Sequence, residues 1–445
     1  MSFPKYPAYK CSGVAWLGPV PSHWNVRRLK HACLVFPSNV DKHSREDEPP
    51  VQLCNYTDVY YNERITGDMP FMAATASQEQ ISRFTLKGGD TIITKDSETA
   101  DDIAIAAYVP EDLPGVVCGY HLSMVRPRES TCGAYVKRLF DSIYTKAKLA
   151  VAANGLTRVG LGQYALDNVE MPFPPSEEQQ TIVTFLDYET AKIDALVEEQ
   201  RSLIELLKEK RLAVISQAVT KGLDPNVPMK HSGVEWLGMV PAHWALPPLY
   251  LRYATDLGKM LDASRITGDH LIPYLRNVDV QWDSVNLVDL PCMDIEVGEY
   301  SRYTVRDGDL LVCEGGEVGR AAVVQVGQAV VGFQKALHRL RAASDLEHPR
   351  YMFHTFALAS NAGAFSGEGQ STIAHLTGEQ LRKYRFPRPP YSEQVEIAAF
   401  LDDKLERLKA LAGTADKAVN LLQERRSALI SAAVTGKIDV RNFQG

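Results

Sequence analysis

No stretch of this 445-residue chain approaches about 18 consecutive apolar residues, so no segment reads as a membrane span. The opening Met1-Ser2-Phe3-Pro4-Lys5-Tyr6-Pro7 holds no apolar core, which predicts no secretory signal. The seven cysteines (Cys11, Cys33, Cys54, Cys118, Cys132, Cys292 and Cys313) form no CxxC pair and no zinc spacing with histidine, so free thiols in a reducing cytoplasm are expected. A GxxxxGKS or GxxxxGKT loop is absent, which excludes a P-loop. So is the Asn/Asp-Pro-Pro-Tyr/Phe tetrapeptide with which an amino-methyltransferase binds its target base. Pro110-Glu111-Asp112 lacks the acid-x-lysine a nuclease would need, and no Ser/His/Asp set is identifiable. Gly315-Gly316-Glu317-Val318-Gly319 is too irregular for a dinucleotide loop and reads as a turn between strands. The net charge is −7 and no long segment is basic overall, so any nucleic acid must meet local clusters and a more basic partner. No catalytic, metal or cofactor residue is therefore expected on this chain.

Hydrophobic residues make up 45% of the chain, enough to bury real cores and to exclude a disordered protein. At about 150 residues per domain, roughly three units are expected. The chain is also written twice. Residues 10–26 (KCSGVAWLGPVPSHWNV) and 230–246 (KHSGVEWLGMVPAHWAL) share 11 of 17 positions at an offset of 220. Residues 175–187 (PSEEQQTIVTFLD) and 390–402 (PYSEQVEIAAFLD) share seven of 13 at an offset of 215. Residues 211–224 and 426–439 share eight of 14 at the same offset. Three collinear matches are the signature of a tandem duplication.

The matched segments predict two long helices. Ser176, with Glu177 and Glu178 in the first turn and Gln179 three residues on, reads as a capping box. Leu186, Ile193, Leu207 and Val214 fall on a seven-residue seam that Gln200 interrupts, with Val197 and Ile204 beside it. Lys221-Gly222 and Pro225 close this helix. The second copy keeps the register through Leu401, Leu408, Ala415, Leu422 and Leu429, with Leu405 and Val419 alongside. Two matched helices of about 65 Å, at 1.5 Å per residue, predict an antiparallel pair, with small Ala218 and Ala433 allowing close approach. The inserts, about 25–172 and 245–387, read as mixed α/β. Strands are expected near 90–94, 103–109, 115–118, 309–313, 321–326 and 329–332, and helices over 135–153 and 351–362. Gly89-Asp90 parallels Gly308-Asp309, and Asp58-Val59-Tyr60-Tyr61 aligns plausibly with Asn277-Val278-Asp279-Val280. Little else aligns, so a duplicated frame with two different inserts is expected. Trp16, His23 and Trp24, repeated as Trp236, His243 and Trp244, read as anchors that tie an extended segment to each core. Proline clusters at 172–175 and 387–390 stiffen each junction with the following helix.

This layout resembles the specificity subunit of type I restriction–modification systems. The resemblance rests on SGVxWLGxVPxHW at each domain start, PPxxEQ…I…FLD opening each long helix, and the helix-ending R…A.IS.AVT…D, and it runs the length of the chain. It implies two α/β (α+β) target recognition domains in tandem, joined by long helices in an antiparallel coiled coil with pseudo-two-fold internal symmetry. The domains are then 1–175, a central helix 176–224, 225–390, and a C-terminal helix 391–440. The resemblance further implies a non-catalytic, cytoplasmic subunit in which each domain reads one half of a split double-stranded DNA target. The helices would set the spacer and dock two modification (methyltransferase) subunits, which restriction (translocase/nuclease) subunits then join. S-adenosylmethionine, ATP and Mg would sit on those partners. A target-reading subunit of a type IIB-like system, and a coiled-coil scaffold without DNA specificity, are the alternatives.

Two readers on such a strut can address major-groove sites about one helical turn, ~34–36 Å, apart. Base readout needs polar side chains on loops that reach base edges. In the first insert the candidates are Tyr61, Arg64, Lys95, Ser97, Thr157 and Arg158. In the second they are Arg276, Asn277, Gln281, Arg320, Gln334, Lys335, Gln370 and Ser371. Phosphate contacts are expected from Arg27, Arg28 and Lys30, from Lys137 and Arg138, and from Arg382, Lys383, Arg385 and Arg388.

Overall fold

A computed structural model describes residues 3–261, 267–365 and 375–443. The chain divides into two units, 1–201 with 416–445, and 202–415. Each long helix is thus shared, so that either unit combines one insert with half of each helix.

The first unit carries β1 (Cys33–Pro37), β2 (Pro50–Cys54), β3 (Met72–Thr75), β4 (Thr91–Thr94), β5 (Ala106–Tyr108), β6 (Val116–Cys118) and β7 (Leu122–Pro127). They form an antiparallel four-stranded sheet, β1-β7-β4-β5, and a three-stranded sheet, β6-β2-β3, in which β6 and β2 run parallel. Strand periodicity sends successive side chains to opposite faces. Ile93 and Val125 accordingly enter the core under the helices, whereas Ile92 and Met124 enter the core against the smaller sheet. Both faces of β4 are covered, which is why Thr-Ile-Ile-Thr is buried at every position. The expected helix over 135–153 is two, α1 (Gly133–Asp141) and α2 (Ile143–Ala152). Ser142 adopts an extended conformation and its hydroxyl accepts from the Thr145 amide, so it ends one helix and caps the next.

The second unit repeats this plan. Its strands are β8 (Tyr253–Leu257), β9 (Leu271–Leu275), β10 (Cys292–Asp294), β11 (Leu310–Cys313), β12 (Ala321–Val323), β13 (Gly332–Phe333) and β14 (Leu337–Ala342). The larger sheet runs β8-β14-β11-β12, all antiparallel, and the smaller runs β10-β9-β13 with β9 and β13 parallel. Strand for strand this is the topology of the first unit. The inserts, expected to differ, are therefore duplicated as well. Gly89 and Gly308 take the same positive φ (95° and 86°), and the aspartates after them receive the same two-nitrogen clasp, Asp90 from Arg126 and Asp309 from Arg341. The alignment of Asp58 with Asn277 is two residues out of step. The Asp58 and Asp279 carboxylates each accept from the backbone amide three residues back, that of Asn55 at 2.7 Å and of Arg276 at 2.9 Å.

The long helices are α3 (Ser176–Lys221) and, after α4 (Pro349–Asn361), α5 (Tyr391–Val434). In the first unit Leu186 shares a core with Leu429 and Ile430, while Arg426 reaches Asp194 two turns further along α3. In the second, Ile215 and Ala218 pack with Ile397 and Leu401, with Val214 and Leu405 beside them. Rising numbers on one helix meet falling numbers on the other, so the halves pair antiparallel. Leu186, Ile193, Val197, Leu207 and Leu401 are buried, and Ile204, Val214, Leu405, Leu408, Val419, Leu422 and Leu429 are half-buried. Ser176 is the first helical residue rather than a cap, and the Gln179 amide binds the Pro174 carbonyl and the Cys132 amide instead of closing a capping box. Gln394 repeats this with Pro389 and His348.

The duplicated aromatics are anchors. Trp24 and Trp244 are fully buried and donate to Glu178 and Glu393 in the first turn of each long helix, which His23 and His243 also contact. Trp16 departs from the expectation, being 57% exposed with Lys148 over its ring. Gly436 has φ +73°, and a Cβ there would meet Pro21 at 2.3 Å, so the end of α5 admits only glycine against this anchor.

Candidate nucleic-acid interface

In each unit three strand boundaries lie side by side, and the residues beyond them form one polar face. In the first, β2 runs out into Asn55, β4 into Lys95 and β6 into Gly119. The Gly119 amide donates to Cys54 (2.9 Å) and the Lys95 amide to His121 (3.1 Å). In the second, the Gln334 amide donates to Leu275 (2.9 Å) and the Glu314 amide to Ala336 (3.0 Å). The sheets hold loop residues that differ at most positions between the two units.

Most base-contact candidates come together here. Lys95 is half-buried, its ammonium on the Ser38 carbonyl (3.3 Å) and 4.4 Å from the centre of the Tyr120 ring. Burial lowers its pKa. Ser97 is buried in the strand pair with Val159. Thr157 is exposed, and Arg158 beside it reaches Asp96 at 3.0 Å, a carboxylate that His121 also contacts at 2.8 Å. Tyr61 is 77% exposed, edge-on to Tyr60. In the second unit Asn277 bridges two loops, its amide donating to Gly315 and Ala336 while its oxygen accepts from Arg320. This pair braces the face and leaves Arg320 mostly buried. Arg276 is clasped to Asp279, and Gln281 to the Val278 carbonyl. Gln334 is half-buried and Lys335 exposed. Gln370 and Ser371 lie outside the described residues. Arg64 departs from the group, because its guanidinium pairs with Asp187 on α3. Sequence reasoning missed Tyr120, His121 and Glu314, which only the register of the sheets brings to the face.

The expected phosphate contacts need more correction. Lys137 and Arg138 are buried in an ion cluster with Asp141, Glu63 and Asp187. Arg388 is bound to the buried Glu347. These three are structural cations. Arg27 stacks on Phe173, Arg382 and Arg385 donate to the Thr255 and Leu246 carbonyls, and Lys383 pairs with Glu379. Arg28 and Lys30 meet at the Asn168 side chain. Among the described residues no cluster of His, Cys, Asp or Glu could hold a metal, and no helix is long and apolar enough to cross a membrane.

The ion cluster carries a pH dependence. Burial would raise the half-exposed Glu63 carboxyl, but Lys137, Arg426 and Arg138 hold it down to about 2. A depressed carboxyl stabilises the fold above its ordinary pKa of about 4.3, and that contribution is lost as pH falls toward the folded value. The stability difference between wild type and Glu63→Gln should therefore be constant above about pH 5 and shrink between about pH 4.5 and 2. Unfolding midpoints across that range test it, and a difference independent of pH refutes it.

Comparison with known proteins agrees with this architecture. Residues 21–206 and 256–416 match the model of the type I restriction modification DNA specificity domain. The MjaX type I restriction enzyme specificity subunit of Methanocaldococcus jannaschii is 20% identical over 436 residues, 96% of each chain. The EcoKI specificity subunit of Escherichia coli is 24% identical over 314 residues, covering 69% of this chain and 64% of the relative. Among solved structures, a chain from work on assembly and conformational transition of the type I R-M system aligns over 93% of this chain and 98% of its own, with a TM-score of 0.68 at 19% identity. The HsdS subunit from Thermoanaerobacter tengcongensis aligns over 94% and 98% at 0.57 and 17%. Two family domains in tandem, each with the same pair of sheets and an anchored half of both long helices, make this chain a member of the type I restriction–modification specificity subunit family.

Proposed function

We propose that the chain is the sequence reader of a type I restriction–modification complex, each domain reading one half of a bipartite duplex target. The observation that carries this reading is the duplicated face of strand ends, built on one backbone plan but with different side chains in the two copies. One fold supplied twice with different loops suits two different half-sites. The long helices set the spacer and dock two modification subunits. Both units support docking by leaving helix leucines exposed, Leu196 and Leu421 in the first and Leu203, Leu206, Leu212 and Leu411 in the second. S-adenosylmethionine belongs to the modification subunits, and ATP and Mg to the restriction subunits that join them. The chain contributes recognition rather than catalysis.

The test is a genome-wide map of adenine methylation in the host with this gene intact and deleted. One split motif with an undefined spacer should disappear on deletion. An unchanged map in cells that express the methyltransferase partner refutes the reading and favours a scaffold without DNA specificity.

A further inference from the structure

The two domains share one topology, so the register of their sheets pairs their residues one to one. Thr91 lies opposite Val125 in the first domain, and Leu310 opposite Leu340 in the second. Counting along these strands, Lys95 and Glu314 occupy the same place, the first residue past the edge of the larger sheet. The backbone agrees, since their amides donate to His121 and Ala336, themselves equivalent residues directly ahead of β7 and β14. Tyr120 and Lys335 are equivalent by the same count. At one position of one fold the charge is inverted.

A lysine ammonium only donates hydrogen bonds, and an ionised carboxylate only accepts them. In the major groove guanine offers two acceptors, O6 and N7, to lysine, whereas cytosine offers its N4 amine to a carboxylate. Lys95 is held in place by the Ser38 carbonyl and the Tyr120 ring, which orders the side chain in advance and leaves two of its three donors for a ligand. Glu314 is half-buried, and among the described residues its carboxylate accepts no hydrogen bond and forms no ion pair.

We propose that Lys95 and Glu314 are equivalent base-reading residues of opposite polarity, Lys95 donating to a guanine in one half-site and Glu314 accepting from a cytosine amine in the other. This rests on the DNA-reading function proposed above. It makes the two half-sites chemically different at the position the duplicated fold reads in common.

The chain assembled with its methyltransferase partner provides the test, by sequencing the sites methylated in a randomised duplex library. Lys95→Met should relax one guanine position in one half-site, with discrimination there falling roughly 5- to 150-fold, the range one good base contact supplies. Glu314→Gln should move one position of the other half-site from cytosine toward adenine, because an amide both donates and accepts. In each variant the untouched half-site stays specific, which shows that the chain has folded. At the Lys95 position, 7-deazaguanine, which lacks the N7 acceptor, should weaken methylation by the wild type and not by Lys95→Met. A wild-type motif that survives both substitutions overturns this inference alone. A wild-type complex that methylates no defined sequence overturns the functional reading as well.

Discussion

Glu347→Ala should destabilise the second unit by about 3–5 kcal/mol, the cost of stranding a buried charge. Arg252 and Glu347 are both fully buried, and the guanidinium donates to both carboxylate oxygens, at 2.6 and 3.1 Å. Its remaining nitrogen reaches the Phe386 and Pro387 carbonyls, and Arg388 approaches the carboxylate at 2.8 Å. Truncating Glu347 leaves Arg252 enclosed with only two carbonyls for its charge. Arg252 has no route to water, whereas Arg388, 28% exposed, can turn outward. The double variant Arg252→Met with Glu347→Leu should recover most of the loss, since it removes both charges and restores apolar volume. Amide exchange in β8 and β14 reports on this unit directly. Equal protection in wild type and Glu347→Ala would show that the pair is not a structural brace. The first unit has Ala32 at the place of Arg252 and lacks this pair, so its protection should not change.

Replacing residues 25–173 with the corresponding segment of another family member should change one half of the methylated motif and leave the other intact. The junction is a structural one. Strand Asn25–Arg28 pairs with Glu170–Phe173, setting Asn25 opposite Phe173, so the insert enters and leaves its frame at a single clasp. Each mismatched base pair costs about 1–3 kcal/mol, and several changed at once abolish methylation of the old half-site. Methylation mapping of the chimera is the measurement. A change in both halves, or in neither, would show that the insert is not an independent reader.

The duplicated frame was legible in the sequence because its parts are constrained in kind. Trp24 and Trp244 must fill a buried site and donate to one carboxylate, Glu178 or Glu393, and few other residues can do both. Gly222 ends α3 at φ +75°, as its place after Lys221 suggests. The duplication of the inserts was hidden because a buried strand requires only apolar bulk. Thr-Ile-Ile-Thr in β4 and Leu-Leu-Val-Cys in β11 share no residue, yet occupy the same position in the same sheet.

Site residues were legible only by type. Lys95, Arg158 and Lys335 could be chosen as polar residues on loops, but so could Lys137, Arg138 and Arg388, which the folded chain pairs with carboxylates. A cation's availability depends on which acids the fold brings beside it, and Glu63, Asp187 and Glu347 lie far from these cations in sequence. The sequence by itself determined the twofold repeat, the long helices with their anchors, and the family, because these rest on local pattern and short matched segments. The tertiary structure alone decided which side chains stand at the strand ends, and that Lys95 and Glu314 share one place there. The matched Gly89-Asp90 and Gly308-Asp309 set the two at one offset, but only the hydrogen-bond register between strands, which no single strand's residue order records, puts both at the same strand end.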